Sequence, residues 1–338
     1  MKFPKEKILS DTEIQNFLIQ NNFVSIAKYL FNSQMKSWDL MRTNYDNLKY
    51  TETKSFWSDG YKLVVQFNPG RIKSTSAEVD EKSIKSRKCF LCAENLPKEQ
   101  MGIQILEKFV LLCNPYPILP QHFTIVSVTH EPQRILEYLS DFLLISQLLS
   151  NNTLIYNGPS CGASAPDHLH FQAGSKQAIP IENDVQQLKN EWRSYVFEDD
   201  TISTSFINDR IRKIIFIEST DMNKIINHFR KIYLAYQKIS GSNDEPLINL
   251  LCSYSEEFGW NLIIFLRSKH RPSIYFSKGP NKLLVSPAAI DMGGLIISPR
   301  KEDFERVGLE NLQKIINEVS LDEENFSLII EKVKPELS

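Results

Sequence analysis

The chain has 338 residues, with 39 Lys and Arg against 41 Asp and Glu and a formal net charge of -2. That balance gives no support to a general nucleic-acid-binding surface, though it leaves room for a local phosphate site. Hydrophobic residues make up 42% and charged residues 24%, enough for a packed core and too apolar for wholesale disorder. No apolar run approaches the roughly 20 residues that span a bilayer. Five cysteines argue against a dense disulfide framework, so a cytoplasmic location is expected.

The first sixty residues read mainly as helix. Asp11-Thr12-Glu13 precedes an apolar pattern at Ile14, Phe17, Leu18, Phe23, Ile26 and Leu30, continued by Trp38 and Met41. Tyr61 to Phe67 reads as a strand ended by Asn68-Pro69-Gly70, and Lys73 to Arg87 as a polar loop or edge. Gln104 to Cys113 and His122 to Val128 are expected strands. Pro132 suits the first turn of a helix running to about Leu149. Thr153 to Tyr156 starts a short strand, and a Gly/Ser-rich loop leads to another, His168 to Ala173. On it the two histidines share a face, because the side-chain period of a strand is two.

Composition turns polar from Lys176 to Asp184, which places a domain boundary near residue 180 and gives units of 1–180 and 181–338. In the second unit, Ile211 to Ile217, Leu247 to Tyr254 and Trp260 to Leu266 read as strands, and Asp221 to Ile239 as a helix. Ser273 to Phe276, Lys282 to Val285 and Gly294 to Ile297 are further strand candidates. Helices from about Glu302 to Ile316 and Asp322 to Val333 close the chain. Short turns and hairpin links favour α+β over a doubly wound parallel sheet.

Two motifs carry chemistry. Cys89-Phe90-Leu91-Cys92 is a C-x-x-C with three readings: a redox pair, half of a zinc site, or chance. Pro97 and Gly102 make a long helix after Cys92 unfavourable, which weakens the redox reading. Tetrahedral zinc needs two more ligands, and His130 and His168 are the natural candidates; otherwise His130 is a surface turn histidine. The second motif runs from Asn157 to Gln172 (NGPSCGASAPDHLHFQ). Gly158 and Gly162 permit the close backbone approach and positive φ of a phosphate-cradling loop. The G-K-[ST] ending of a P-loop is missing. His170 is a candidate neutral nucleophile, with Gln172, Ser164, Gly162 and Asn157 as candidate phosphate contacts. The competing reading is a metal-binding H-x-H with Gln172 as a solvated strand residue. Farther on, Arg267, Lys269, His270 and Arg271 form a basic run. It is either a solvated face or a phosphate clamp led by Arg267, with Arg300 a weaker candidate.

The segment His168-Leu169-His170-Phe171-Gln172 resembles the H-x-H-x-Q signature of the histidine-triad superfamily in its transferase branch. That branch includes galactose-1-phosphate uridylyltransferases, diadenosine-tetraphosphate phosphorylases and GDP-hexose phosphorylases. The resemblance implies that His170 attacks an α-phosphorus and carries a nucleotidyl group, while Gln172 binds phosphoryl oxygens. It matches Ser164 to a phosphate-contacting serine and Asn157 to an upstream asparagine. Asp167 makes the gap from Ser164 to His168 one residue longer than in the uridylyltransferase pattern. The resemblance also implies a structural zinc on Cys89, Cys92, His130 and His168, and no organic cofactor. It is strong over Cys89 to Ala173 and weak in the second half, where residues 260–267 and 286–303 look like the C-terminal domain of the phosphorylases.

The expected fold is therefore two histidine-triad-like domains, each an antiparallel sheet with packed helices, the second diverged. The expected activity cleaves a nucleoside diphosphate sugar, GDP-hexose foremost, or a dinucleoside polyphosphate, with inorganic phosphate or a sugar phosphate as acceptor. Neither nucleic acid nor membrane is an expected partner, and the protein is expected to be a monomer or a homodimer. The alternatives are a hydrolase of the same superfamily and a non-catalytic zinc-stabilised module that binds nucleotides or proteins. A histidine at the Gln172 position would favour the hydrolase.

Overall fold

The computed structural model describes residues 3–19, 22–58, 61–76, 81–187 and 192–337. Among the described residues, thirteen strands form two sheets. The smaller sheet holds β1 (Thr53–Ser58), β2 (Tyr61–Phe67) and β13 (Leu295–Ser298), with β13 parallel to β2. The larger one is built from β3 (Gly102–Ile105), β4 (Phe109–Cys113), β5 (Phe123–Ser127), β6 (Asn152–Asn157) and β7 (His170–Ser175) of the first half. The second half supplies β8 (Arg193–Glu198), β9 (Ile202–Asn208), β10 (Lys213–Ser219), β11 (Ile248–Ser255) and β12 (Gly259–Leu266). All pairs in it are antiparallel, in the order β3-β4-β5-β7-β6-β11-β12-β10-β9-β8.

That order contains a repeat. From its outer edge inward the first half reads β3-β4-β5-β7-β6, and the second reads β8-β9-β10-β12-β11. Helix Leu139–Leu148 joins β5 to β6, and helix Met222–Ser240 joins β10 to β11 at the same place in the order. The two α+β units meet edge to edge where β6 pairs with β11, Asn157 opposite Asn249. One antiparallel sheet thus runs through both.

Alternation along the strands sends one set of side chains to each face. Phe171, Ala173, Leu250 and Leu262 pack under the helices, with Phe142, Phe229 and Ile329 in the same core. Ile155, Leu251, Ile263 and Phe265 face the small sheet and the helix Leu309–Val319. Helix Met222–Ser240 shows how local sequence sets its bounds. Asp221 caps its start by accepting from the Asn223 and Lys224 amides, and Gly241 ends it at φ 65°. Ile225, Phe229, Ile232, Tyr233 and Tyr236 form its buried stripe.

Several expectations are corrected. The helix foreseen from Pro132 begins only at Leu139. Upstream, the Gln133 amide donates to Pro166 O and the Ile135 amide to Glu245 Oε2, so this backbone serves tertiary contacts. Ser273–Phe276 is one helical turn after Pro272, not a strand, and Lys282 to Val285 forms no strand. Gln104 to Cys113 is a hairpin turning at Leu106, whose φ is 49°. The polar stretch after Lys73 includes short helices at Ile72–Thr75 and Glu81–Ser86; its residues 77–80 lie outside the described residues. The helix expected from Glu302 to Ile316 breaks at Val307 and Gly308 into Lys301–Arg306 and Leu309–Val319. His168 precedes β7, so it does not share a strand face with His170. Strands β1, β8 and β9 were not foreseen. Among the described residues no helix is long and apolar enough to cross a membrane.

Candidate active site and metal centre

The candidate ligand atoms of Cys89, Cys92, His130 and His168 all lie within 4.8 Å of one another. The Cys89–Cys92 turn lies against β4 and β5, and His130 follows β5. His168 Nδ1 lies 3.3 Å from Cys89 Sγ and 3.6 Å from Cys92 Sγ, and His130 Nδ1 lies 3.2 Å from Cys92 Sγ. A tetrahedral ion with ordinary zinc bond lengths sets sulfur and nitrogen ligands about 3.6 Å apart. The outer nitrogens are oriented as well. His168 Nε2 donates to Ser127 O at 2.9 Å, and His130 Nε2 faces Asp167 Oδ2 at 3.5 Å. Such partners aim the inner nitrogen at a metal. Burial, reinforced by Cys89, pushes the Cys92 thiol up to about 12; a divalent cation would favour the thiolates instead. The donor set therefore fits a metal such as zinc.

His170 and Gln172 project from one face of β7, opposite Val126 and Thr124 of β5. His170 is only 4% exposed. Its backbone is held by Gln133, whose side chain accepts from the His170 amide and donates to His170 O and Asn157 O. Its Nδ1 lies 2.8 Å from His168 O. A carbonyl only accepts, so Nδ1 carries the proton and Nε2 keeps a lone pair. Burial pushes this imidazole down to about 4, which keeps it neutral.

Gln172 is fixed by a buried histidine before β5. His122 Nδ1 accepts from the Ile118 amide at 3.2 Å, which puts the ring proton on Nε2. That Nε2–H donates to Gln172 Oε1 at 2.9 Å, leaving the Gln172 amide hydrogens for another acceptor. Burial, with nearby Arg71, pushes His122 down to about 3, so it works as a neutral donor.

Gln172 lines a cavity together with Asn157, Gly162, Ser164, Arg71, Thr75, His270, Arg271, Ser286 and Asp291. The two halves both contribute to it. Asn157 Oδ1 accepts from Asn249 Nδ2 at 3.0 Å and from the Ala289 amide at 2.8 Å, so its own amide hydrogens remain for the cavity. Gly162 has φ 97°, and a Cβ there would stand 2.6 Å from Ala288 Cβ. Glycine is thus required both by the backbone and by the approach of the second half. His170 is not among the lining residues. Arg71 is lowered to about 10 by burial and still carries its charge near neutrality. Burial lifts Asp291 to about 6, although its carboxylate accepts from the Ala288 and Ile297 amides. The enclosed space is small, ≈ 70 Å³. A larger open depression of ≈ 790 Å³ is lined by Ser273, Ile274, Leu283, Asn311 and Lys314 among others, and holds none of the candidate catalytic residues.

The clamp expected of Arg267 is corrected. Its guanidinium is fully buried, and five hydrogen bonds occupy its five N–H groups. The acceptors are Val319 O, Asn249 Oδ1, Pro287 O, Lys269 O and His270 O. Arg267 braces the loop that presents His270 and Arg271 to the cavity. Arg300 pairs with Asp303 and does not line the cavity. Sequence reading missed His122, Gln133, Arg71 and Asn249. The only signal for His122 was a histidine opening an apolar strand.

Residues 30–175 match a family model described as "Domain of unknown function (DUF4922)", and residues 197–338 match "GDPGP1-like, C-terminal domain". No curated protein matches the sequence. The crystal structure of yeast Ap4A phosphorylase Apa2 in complex with Ap4A shares the fold, with a TM-score of 0.56, 16% identity and coverage of 86% of this chain and 97% of that one. The AMP complex of the same yeast protein gives 0.52, 16%, 86% and 96%. Over residues 197–338 the chain is thus similar to GDPGP1-like proteins, and over most of its length it shares its fold with yeast Ap4A phosphorylase.

Proposed function

We propose that this chain is a nucleotidyltransferase of the phosphorylase type. Its substrate is a nucleoside diphosphate sugar, GDP-hexose foremost, or a dinucleoside polyphosphate. The observation that carries the reading is the His170 tautomer: Nδ1–H is tied to His168 O, and Nε2 is left as a neutral lone pair on the strand face that also carries Gln172. In the first step Nε2 attacks the α-phosphorus, and the bond to the bridging oxygen breaks. A sugar 1-phosphate leaves, and the nucleotidyl group stays on His170. An oxygen of inorganic phosphate then attacks the same phosphorus, the P–N bond breaks, and a nucleoside diphosphate departs. The His168 carbonyl stabilises the imidazolium that forms on nucleotidylation. Amide hydrogens of Gln172 and Asn157 receive the phosphoryl oxygens, and Arg71 and Arg271 add positive charge.

The small enclosed volume suits the phosphoryl groups, with nucleoside and sugar extending beyond it. Domain units of 1–180 and 181–338, with each half read as a histidine-triad-like unit, agree with the repeated strand order. Zinc on Cys89, Cys92, His130 and His168 shapes the loop leading to His170 and performs no chemistry. The protein would act in the cytoplasm, as a monomer or homodimer. The test is incubation with GDP-hexoses and dinucleoside polyphosphates, with and without phosphate. Phosphate-dependent release of a nucleoside diphosphate supports the reading. Turnover with water alone at the same rate favours the hydrolase instead.

A further inference from the structure

We propose that Arg87 and Asp167 form a positioning strut that ties the Cys89/Cys92/His130/His168 cluster to the loop carrying Ser164. The inference rests on reading that cluster as a metal centre and that loop as the phosphate loop. One nitrogen, Arg87 Nη2, donates to Asp167 Oδ1 at 2.9 Å and to Ser164 O at 3.3 Å. The other Asp167 oxygen, Oδ2, faces His130 Nε2 at 3.5 Å, while His130 Nδ1 lies 3.2 Å from Cys92 Sγ. Sequence locks both ends to the cluster. Arg87 stands two residues before Cys89, and its guanidinium carbon lies 5.2 Å from the centroid of the Phe90 ring. Asp167 immediately precedes His168. The middle of the strut grips the carbonyl of a residue that lines the cavity.

This arrangement gives a role to Asp167, the residue that lengthens the gap between Ser164 and His168. The strut is partly shielded, with Arg87 and Asp167 side chains 26% and 21% exposed. An arginine serves two acceptors in a fixed plane, which a lysine ammonium does not reproduce. Positioning of this kind leaves the chemistry at His170 intact and changes how firmly the loop is held.

The experiment measures amide hydrogen exchange over residues 160–167 in the zinc-loaded full chain and, in parallel, zinc release to a chelating dye. Arg87→Ala should speed loop exchange by about 10-fold or more while β6 and β7 keep their protection. It should also weaken zinc retention by about 10-fold, the usual scale for loss of a partner behind a metal ligand. Asp167→Asn, which keeps an acceptor for Arg87 but loses the charge, should give a smaller change in both. Arg87→Lys should recover only part. In wild-type protein stripped of zinc the loop should exchange as fast as in Arg87→Ala, and adding that substitution should change nothing further. The proposal is overturned if folded Arg87→Ala or Asp167→Asn keeps wild-type loop exchange, or if stripping zinc leaves the loop protected. If the protein takes up no zinc, the metal reading fails separately, and loop exchange in the two variants still decides whether Arg87 holds Ser164.

Discussion

His122 Nε2 lies 2.9 Å from Gln172 Oε1, and this one contact decides which way the glutamine amide points. The Ile118 amide holds the other nitrogen of His122, so the ring has only one tautomer to offer. His122→Ala should therefore lower turnover by about 10-fold with little change in KM, because Gln172 then presents either end of its amide. Gln172→Ala removes the donor itself and should cost about 10²-fold. Steady-state kinetics on the best nucleotide substrate, with melting curves to confirm folding, checks both. Equal KM and kcat for His122→Ala and wild type would remove the orienting role.

Removal of the metal should act on stability before chemistry. Metal analysis should find about one zinc per chain, since two thiols and two imidazoles complete a tetrahedral site. Chelation should lower Tm and expose Cys89 and Cys92 to thiol reagents. Less than about 0.2 zinc per chain in repeated preparations would count against the site.

Gly162→Ala should reduce turnover more than stability. The added methyl meets Ala288 at 2.6 Å in a backbone with φ 97°. The strain should cost about 1–2 kcal/mol and push the loop from the second half. A loss of activity of about 10-fold at unchanged secondary structure is the expected result. Wild-type kinetics would show that the close approach is not needed for function.

Glu245 predicts a pH dependence of stability. It reaches from the second half to Tyr156 Oη–H and the Ile135 amide, and burial lifts its carboxyl to about 7. A carboxyl raised above its unfolded value favours folding while protonated. Its contribution is present below about pH 4.5 and is lost as pH rises towards 7, by up to about 3 kcal/mol. The Tm difference between wild type and Glu245→Gln should therefore shift against wild type from pH 5 to 7.5. A constant difference across that range would contradict the assignment.

The fold was legible where one local signal sufficed. Tyr61 to Phe67 alternates and ends at Asn-Pro-Gly, and β2 has those bounds. Asp221 and Gly241 bracket their helix. The reading failed where distant partners set the local shape. Residues 131–138 look helical after Pro132, but Gln133 and Ile135 bond to the site loop and to Glu245. Arg267 looked like a clamp because sequence cannot show that five oxygens surround it. The motif from Asn157 to Gln172 reads as a candidate phosphate loop through its glycines and histidines. It could not reveal that His122 or Arg71 would meet it, since both come from separate turns brought in by sheet pairing.

The central claim is the covalent step at His170, and intact-protein mass spectrometry tests it most directly. Incubated with GDP-hexose or dinucleoside polyphosphate and no phosphate, the protein should gain the mass of one nucleoside monophosphate, mapped to His170. Phosphate should discharge the adduct as nucleoside diphosphate, and His170→Ala should acquire none. Absence of any adduct across these substrates, together with full turnover by His170→Ala, would contradict the account.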